Sequence, residues 1–112
     1  MRPLNPFTTT KVVGVTFNNA QENIERFARK DIPLELVREP NNPYDPNAIK
    51  VTGADHFFGY IRKELAEKMA PKMDAGKQYK ASFVCLNRSP YHDLVGLTIR
   101  IAEIGELIEN SL

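Results

Sequence analysis

The clearest pattern in the chain is the alternation of LVGLTIRIAEI, residues 94–104. Val95, Leu97, Ile99 and Ile101 share one face, as a half-buried strand requires. YKASFVCL alternates upstream of it, and the loop NRSPYHD makes the two a hairpin. Earlier in the chain LELVRE puts Leu34 and Leu36 on one face and Glu35, Val37 and Glu39 on the other. AIKV directs Ile49 and Val51 inward, and after the turn GADH a further strand, FFGYI, has Phe58 and Tyr60 on one face. The Val-rich run KVVGVTF reads as the first strand, with Val13, Val15 and Phe17 together and Gly14 marking a bulge or a close backbone approach. Helical spacing shows in two places. Asn19 to Lys30 carries Ile24, Phe27 and Ala28 on one stripe, with Asn19 as an N-cap. KELAEKMAPKMDAG repeats Leu65, Ala66, Met69, Ala70 and Met73 on another, with a kink or fresh turn expected at Pro71 and a stop near Gly76. About six short strands with a helix after the fourth predict a mainly β protein with helices, either an antiparallel barrel or a strongly curved sheet with helices across one end.

A chain of 112 residues, 42% hydrophobic and 26% charged, has material for one core. We expect residues 1–10, broken by prolines and a threonine triplet, to be an extended lead-in, and residues 11–112 to form a single domain. Fifteen Lys and Arg against fourteen Asp and Glu leave a net charge of +1, so no whole-molecule field draws the chain to duplex DNA or an anionic membrane. Any nucleic-acid contact must be local. From Phe57 to Arg100 there are eight basic residues against four acidic ones, while three glutamates follow in the tail. The single Cys85 excludes an internal disulfide framework and multi-cysteine zinc sites. No long apolar run or signal-like N-terminus is present, and we expect a cytoplasmic protein without a membrane partner.

Catalysis has little support in the sequence. His56 and His92 each sit in a turn beside an aspartate, without metal-ligand spacing to a second His or Cys, and Cys85 at an alternating strand position reads as a small buried hydrophobe. There is no nucleophile elbow and no phosphate-cradling glycine loop. No catalytic residue, metal site or cofactor is therefore expected.

The positive signal is REPNNPYDPNAIKV, residues 38–51. Three prolines stiffen it, and Asn41, Asn42 and Asp45 can satisfy its backbone through side-chain turns. Tyr44 then stands in a loop too polar to cover it. An exposed ring can stack on a base for about 1–3 kcal/mol, and the adjacent Asp45 carboxylate accepts hydrogen bonds from donors such as a sugar hydroxyl while repelling phosphate. A second reading of the same residues makes Tyr44 a lid folded on the barrel and Asp45 a turn cap. Arg62 and Lys63 at the start of the second helix supply cations at a related sheet edge if the third and fourth strands pair.

VVGVTF, LELVREPNNPYDPNAIKV and GYIRKELAEKMAP, in this order, closely resemble the HIRAN domain over roughly Lys11 to Met73. The resemblance implies a small OB-like antiparallel β-barrel that captures single-stranded DNA at a free 3′ end. Family members occur as modules of DNA translocases that act at stalled forks and as standalone proteins. By position, Tyr44 would stack on the terminal base, Asp45 would bind the 3′ hydroxyl, Asn42 would shape or line the pocket, Phe17 would provide a second stacking ring, and Lys63 a phosphate contact, to which the basic cluster adds Arg62 as a further candidate. Thr16 stands where the family has arginine and Tyr60 where it has histidine. Phe83 or Tyr91 is the candidate for a late aromatic. The implied role is non-enzymatic, in repair or fork processing beside a separate helicase, translocase or nuclease. The alternative is a protein-interaction barrel with no nucleic-acid role, and a metal-dependent nuclease is disfavoured because Asp45 has no second carboxylate near it in sequence.

Overall fold

The structure, a computed structural model, describes residues 7–104. The elements run β1 (Phe7–Lys11), α1 (Ala20–Phe27), β2 (Leu34–Arg38), β3 (Ile49–Gly53), β4 (His56–Tyr60), α2 (Lys63–Asp74), β5 (Gln78–Ser89) and β6 (His92–Ile104). The strands form one antiparallel sheet in the order β1-β6-β5-β2-β3-β4. Its two outer edges come together just after β1. The Val12 N–H donates to the Leu97 carbonyl, and Val13 exchanges a pair of backbone hydrogen bonds with Tyr60, 2.9 and 2.8 Å. This seam curls the sheet into an OB-like barrel. Gly59 permits it. A Cβ there would lie 2.5 Å from both Val12 Cγ1 and the Val13 carbonyl, and its φ of +149° is one that other residues rarely adopt.

The alternating face of β6 and the inward residues of β3 are buried as expected. Val95, Leu97, Ile99 and Ile101 point into the core beside Ile49, Val51 and Phe58. Ile24 from α1, and Ala66, Met69 and Ala70 from α2, complete the apolar cluster. Each fully buried aliphatic side chain of this kind contributes on the order of 1.5–3 kcal/mol of transfer free energy. Polar side chains fix α1 in place. The Gln21 carboxamide donates to the Val15 and Val95 carbonyls and accepts the Val95 N–H, while Asn23 Nδ2 donates to the Phe57 carbonyl. No helix among the described residues is long and apolar enough to cross a membrane.

Several expectations need correction. The first strand is FTTTK, so residues 7–10 of the expected lead-in belong to the sheet, and residues 1–6 lie outside the described residues. Threonine is poor in helices because it is β-branched, and the same stiffness suits a strand edge. Of the expected strand Lys11–Phe17, Lys11 ends β1, and Val12 and Val13 add one bond to Leu97 and the bridge to Tyr60 before Gly14, with φ +67°, turns the chain away. Val12 is therefore buried, and Val13 and Phe17 are exposed. Asn19 precedes α1 in a left-handed conformation and makes no side-chain cap. Helix α2 continues through Pro71 to Asp74, and the Lys77 and Gly76 N–H groups close it on the Lys72 and Met73 carbonyls. A bulge opposite Val51 and Thr52 resets β4, so Tyr60 shares its face with Phe57, whose ring it meets edge-on at 5.4 Å, and not with Phe58. A register shift between Phe83 and Cys85 likewise turns Cys85 outward, where it is exposed.

Candidate nucleic-acid interface

The β2–β3 connection, residues 39–48, stands over the barrel seam and encloses with it a groove of about 1040 Å³. Of the eight candidate side chains, Tyr44, Asp45, Asn42, Phe17, Tyr60 and Lys63 line this groove. Arg62 and Thr16 are exposed but do not line it, and Arg62 lies 3.6 Å from Glu64. Neither Phe83 nor Tyr91 reaches it.

The loop is organised from within by side chains that satisfy backbone groups. Asn42 Oδ1 accepts the N–H groups of Tyr44 and Asp45 at 2.8 and 3.1 Å, and Asp45 Oδ1 accepts the Asn47 N–H at 2.9 Å. Backbone bonds from Asn42 to Glu39, Ala48 to Asp45 and Glu39 to Ala48 close the turn. With the backbone set this way, the Tyr44 ring has nothing over it and is 94% exposed. The lid reading is overturned, although Asp45 does cap a turn with one of its oxygens. Phe17, 59% exposed, is lifted to the same groove by the Gly14 turn, in which the Phe17 N–H donates to the Gly14 carbonyl.

Glu39 and Arg38, which sequence reasoning left on a strand, form the polar base of the loop. Glu39 Oε1 accepts from Tyr60 Oη at 2.8 Å and from Asn42 Nδ2 at 3.0 Å, and its other oxygen lies 3.6 Å from Lys50 Nζ. Burial alone would push the Glu39 carboxyl up, but the Asn42 and Tyr60 hydrogen bonds and the Lys50 charge together hold it below the usual carboxylate range. The Tyr60 phenol is raised by burial and by the Glu39 carboxylate. Arg38 donates to both Asp74 oxygens, at 2.9 and 3.0 Å, and to the Ala48 carbonyl, so its charge is committed to the protein. That bidentate pair also holds the Asp74 carboxyl low. Lys63, exposed at the first position of α2, is the cation of the groove without a carboxylate partner among the described residues. The only sequence signal for Glu39 was its place immediately before the loop.

The groove thus offers two exposed rings, a carboxylate with accepting capacity left over, and one lysine, a set suited to a flat base and a hydroxyl-bearing end. Among the described residues no cluster of three or more His, Cys, Asp or Glu could hold a metal ion.

Comparison with known proteins places this geometry. The helicase-like transcription factor of Oryctolagus cuniculus is 58% identical over 42 residues, 37% of this chain and 4% of that protein. The Fanconi-associated nuclease 1 homolog of Oryza sativa subsp. japonica is 39% identical over 69 residues, 58% of this chain and 7% of that protein. The chain therefore spans a small fraction of these relatives. The HIRAN domain of human HLTF superposes in its crystal structure with a TM-score of 0.66 and 25% identity, covering 87% of this chain and 74% of that one. In its DNA-bound conformation, determined by NMR, the same domain superposes with a TM-score of 0.56 and 26% identity, covering 89% and 77%. The HIRAN domain profile matches residues 7–102, from β1 almost to the end of β6, and the chain belongs to the HIRAN domain family.

Proposed function

We propose that this chain is a DNA-binding module that captures single-stranded DNA at a free 3′ end and performs no chemistry itself. The observation that carries the reading is the 94% exposed Tyr44 ring at a groove that also holds Asp45. A terminal base stacks on Tyr44, with Phe17 as a second platform, a contact worth about 1–3 kcal/mol per base. Asp45 spends one oxygen on the Asn47 N–H and keeps the other to accept the terminal hydroxyl. A 3′ phosphate would meet that carboxylate as a like charge. Lys63 follows the strand's phosphates. The DNA-bound conformation of a similar HIRAN domain supports the ligand class. The helicase-like and nuclease relatives support a role as accessory to a separate helicase, translocase or nuclease in repair or fork processing.

The test compares one 5′-labelled oligonucleotide ending in a 3′ hydroxyl with the same strand ending in a 3′ phosphate. Tighter binding of the hydroxyl end, abolished by Asp45→Ala, is expected. Equal affinities for the unaltered protein would remove Asp45 from end recognition, and DNA binding that does not weaken as salt rises would remove Lys63 from phosphate contact.

A further inference from the structure

We propose that Glu39 is a positioning residue that sets the geometry of the end pocket without touching the nucleic acid, an inference that rests on the function proposed above. The Tyr44 ring is almost wholly exposed, so no packing aims it. Its direction comes from its backbone, which is fixed by Asn42 Oδ1 through the N–H groups of Tyr44 and Asp45. Asn42 is held in turn at its other end, where Nδ2 donates to Glu39 Oε1. The same oxygen accepts a hydrogen bond from the Tyr60 hydroxyl, and the Tyr60 backbone is part of the barrel seam. A continuous run of bonds therefore links barrel closure to Glu39, to Asn42 and to the two residues that meet the DNA terminus. With its one O–H already donating to Glu39, Tyr60 has no donor left for a phosphate.

The physics makes an opposed prediction for charge. If Glu39 acted only through its negative charge, removing it from a DNA-binding groove would tighten binding. If it positions the loop by accepting hydrogen bonds, Glu39→Ala weakens binding, and Glu39→Gln, whose amide oxygen still accepts from Asn42 and Tyr60, restores most of it.

The experiment measures, for the intact chain and for Glu39→Ala and Glu39→Gln, the ratio of affinities for hydroxyl and phosphate 3′ ends. It also measures the backbone order of Tyr44 and Asp45 by NMR relaxation in the free proteins. Glu39→Ala should lower the affinity ratio by roughly tenfold and loosen both amides, while Glu39→Gln keeps both near the original values. Tighter DNA binding by both variants, or unchanged loop order in Glu39→Ala, would overturn the proposal. Should Glu39→Ala fail to fold, Tyr60→Phe removes only the hydroxyl that donates to Glu39 and is expected to lower the ratio about two- to threefold. An unchanged ratio there counts against the proposal equally. If the unaltered protein shows no end preference, the functional reading fails, and the positioning role is judged on loop order alone.

Discussion

Two tyrosines of this molecule stand in water and are almost equally bare, Tyr44 at 94% and Tyr91 at 87% exposed. Their surroundings differ. Tyr91 occupies the turn between β5 and β6, with its N–H on Ser89 Oγ and no groove residue beside it. Tyr44 sits between Pro43 and Asp45 on a backbone fixed by Asn42, above a groove that also holds Phe17 and Lys63. Exposure alone therefore does not tell the two rings apart. A ring becomes a binding element when its backbone is already ordered, so that little conformational entropy remains to be lost on contact, and when a second recognition group stands within one ligand's reach.

Paired substitution breaks or sharpens that contrast. Tyr44→Ala should weaken single-stranded DNA binding by roughly 5- to 150-fold, the loss of one stacked base, while leaving the melting temperature near its original value. Tyr91→Ala should change neither. Equal losses from both, read by fluorescence anisotropy and thermal unfolding, would place the interface elsewhere. A smaller effect is expected from Lys63→Ala, which should reduce affinity severalfold and make the slope of log affinity against log salt shallower by about 0.7, one single-strand phosphate contact. No comparable change should follow Arg38→Ala if the Arg38 guanidinium remains with Asp74 when DNA binds.

The smallest expected effect concerns acid. The Glu39 carboxyl is lowered in the folded protein from its ordinary value of 4.5, so its stabilising contribution is complete above that value and is lost as pH falls through the lower folded one. Glu25 and Asp74 are lowered as well and lose stability in the same direction. The diagnostic quantity is consequently a difference. Denaturant titrations between pH 6 and 3 should show a shallower acid decline for Glu39→Gln than for the unaltered chain, and parallel curves would remove Glu39 from the acid response.

The same contrast explains what could be read in advance. The inward face of β6 and the stiff, turn-rich character of residues 40–47 were legible because burial with a period of two and proline–asparagine chemistry are local properties. The presented ring was legible only as one of two readings, and the 94% exposure of Tyr44 decides against the lid. The position of Phe17 was hidden, since Val-Gly-Val reads as strand and the positive φ values of Gly14, Asn18 and Asn19 leave no periodic mark. Bulges hid the true faces of Tyr60 and Cys85, because one extra residue inverts an alternation from that point on. Glu39 was hidden for a third reason. One partner, Asn42, lies in its own loop, and the other two, Lys50 and Tyr60, reach the carboxylate only through the pairing of β2 with β3 and of β3 with β4.

The two backbone bonds between Val13 and Tyr60 join the free borders of the sheet directly beneath the groove. A guest lying across that join works like a bolt on a door. With DNA held there as proposed, opening of the barrel at this join would loosen the guest, and the bound guest would oppose opening. DNA bound as proposed would then protect the amides of the join itself, Val12, Val13 and Tyr60, whose slow exchange becomes a gauge of what happens at the mouth.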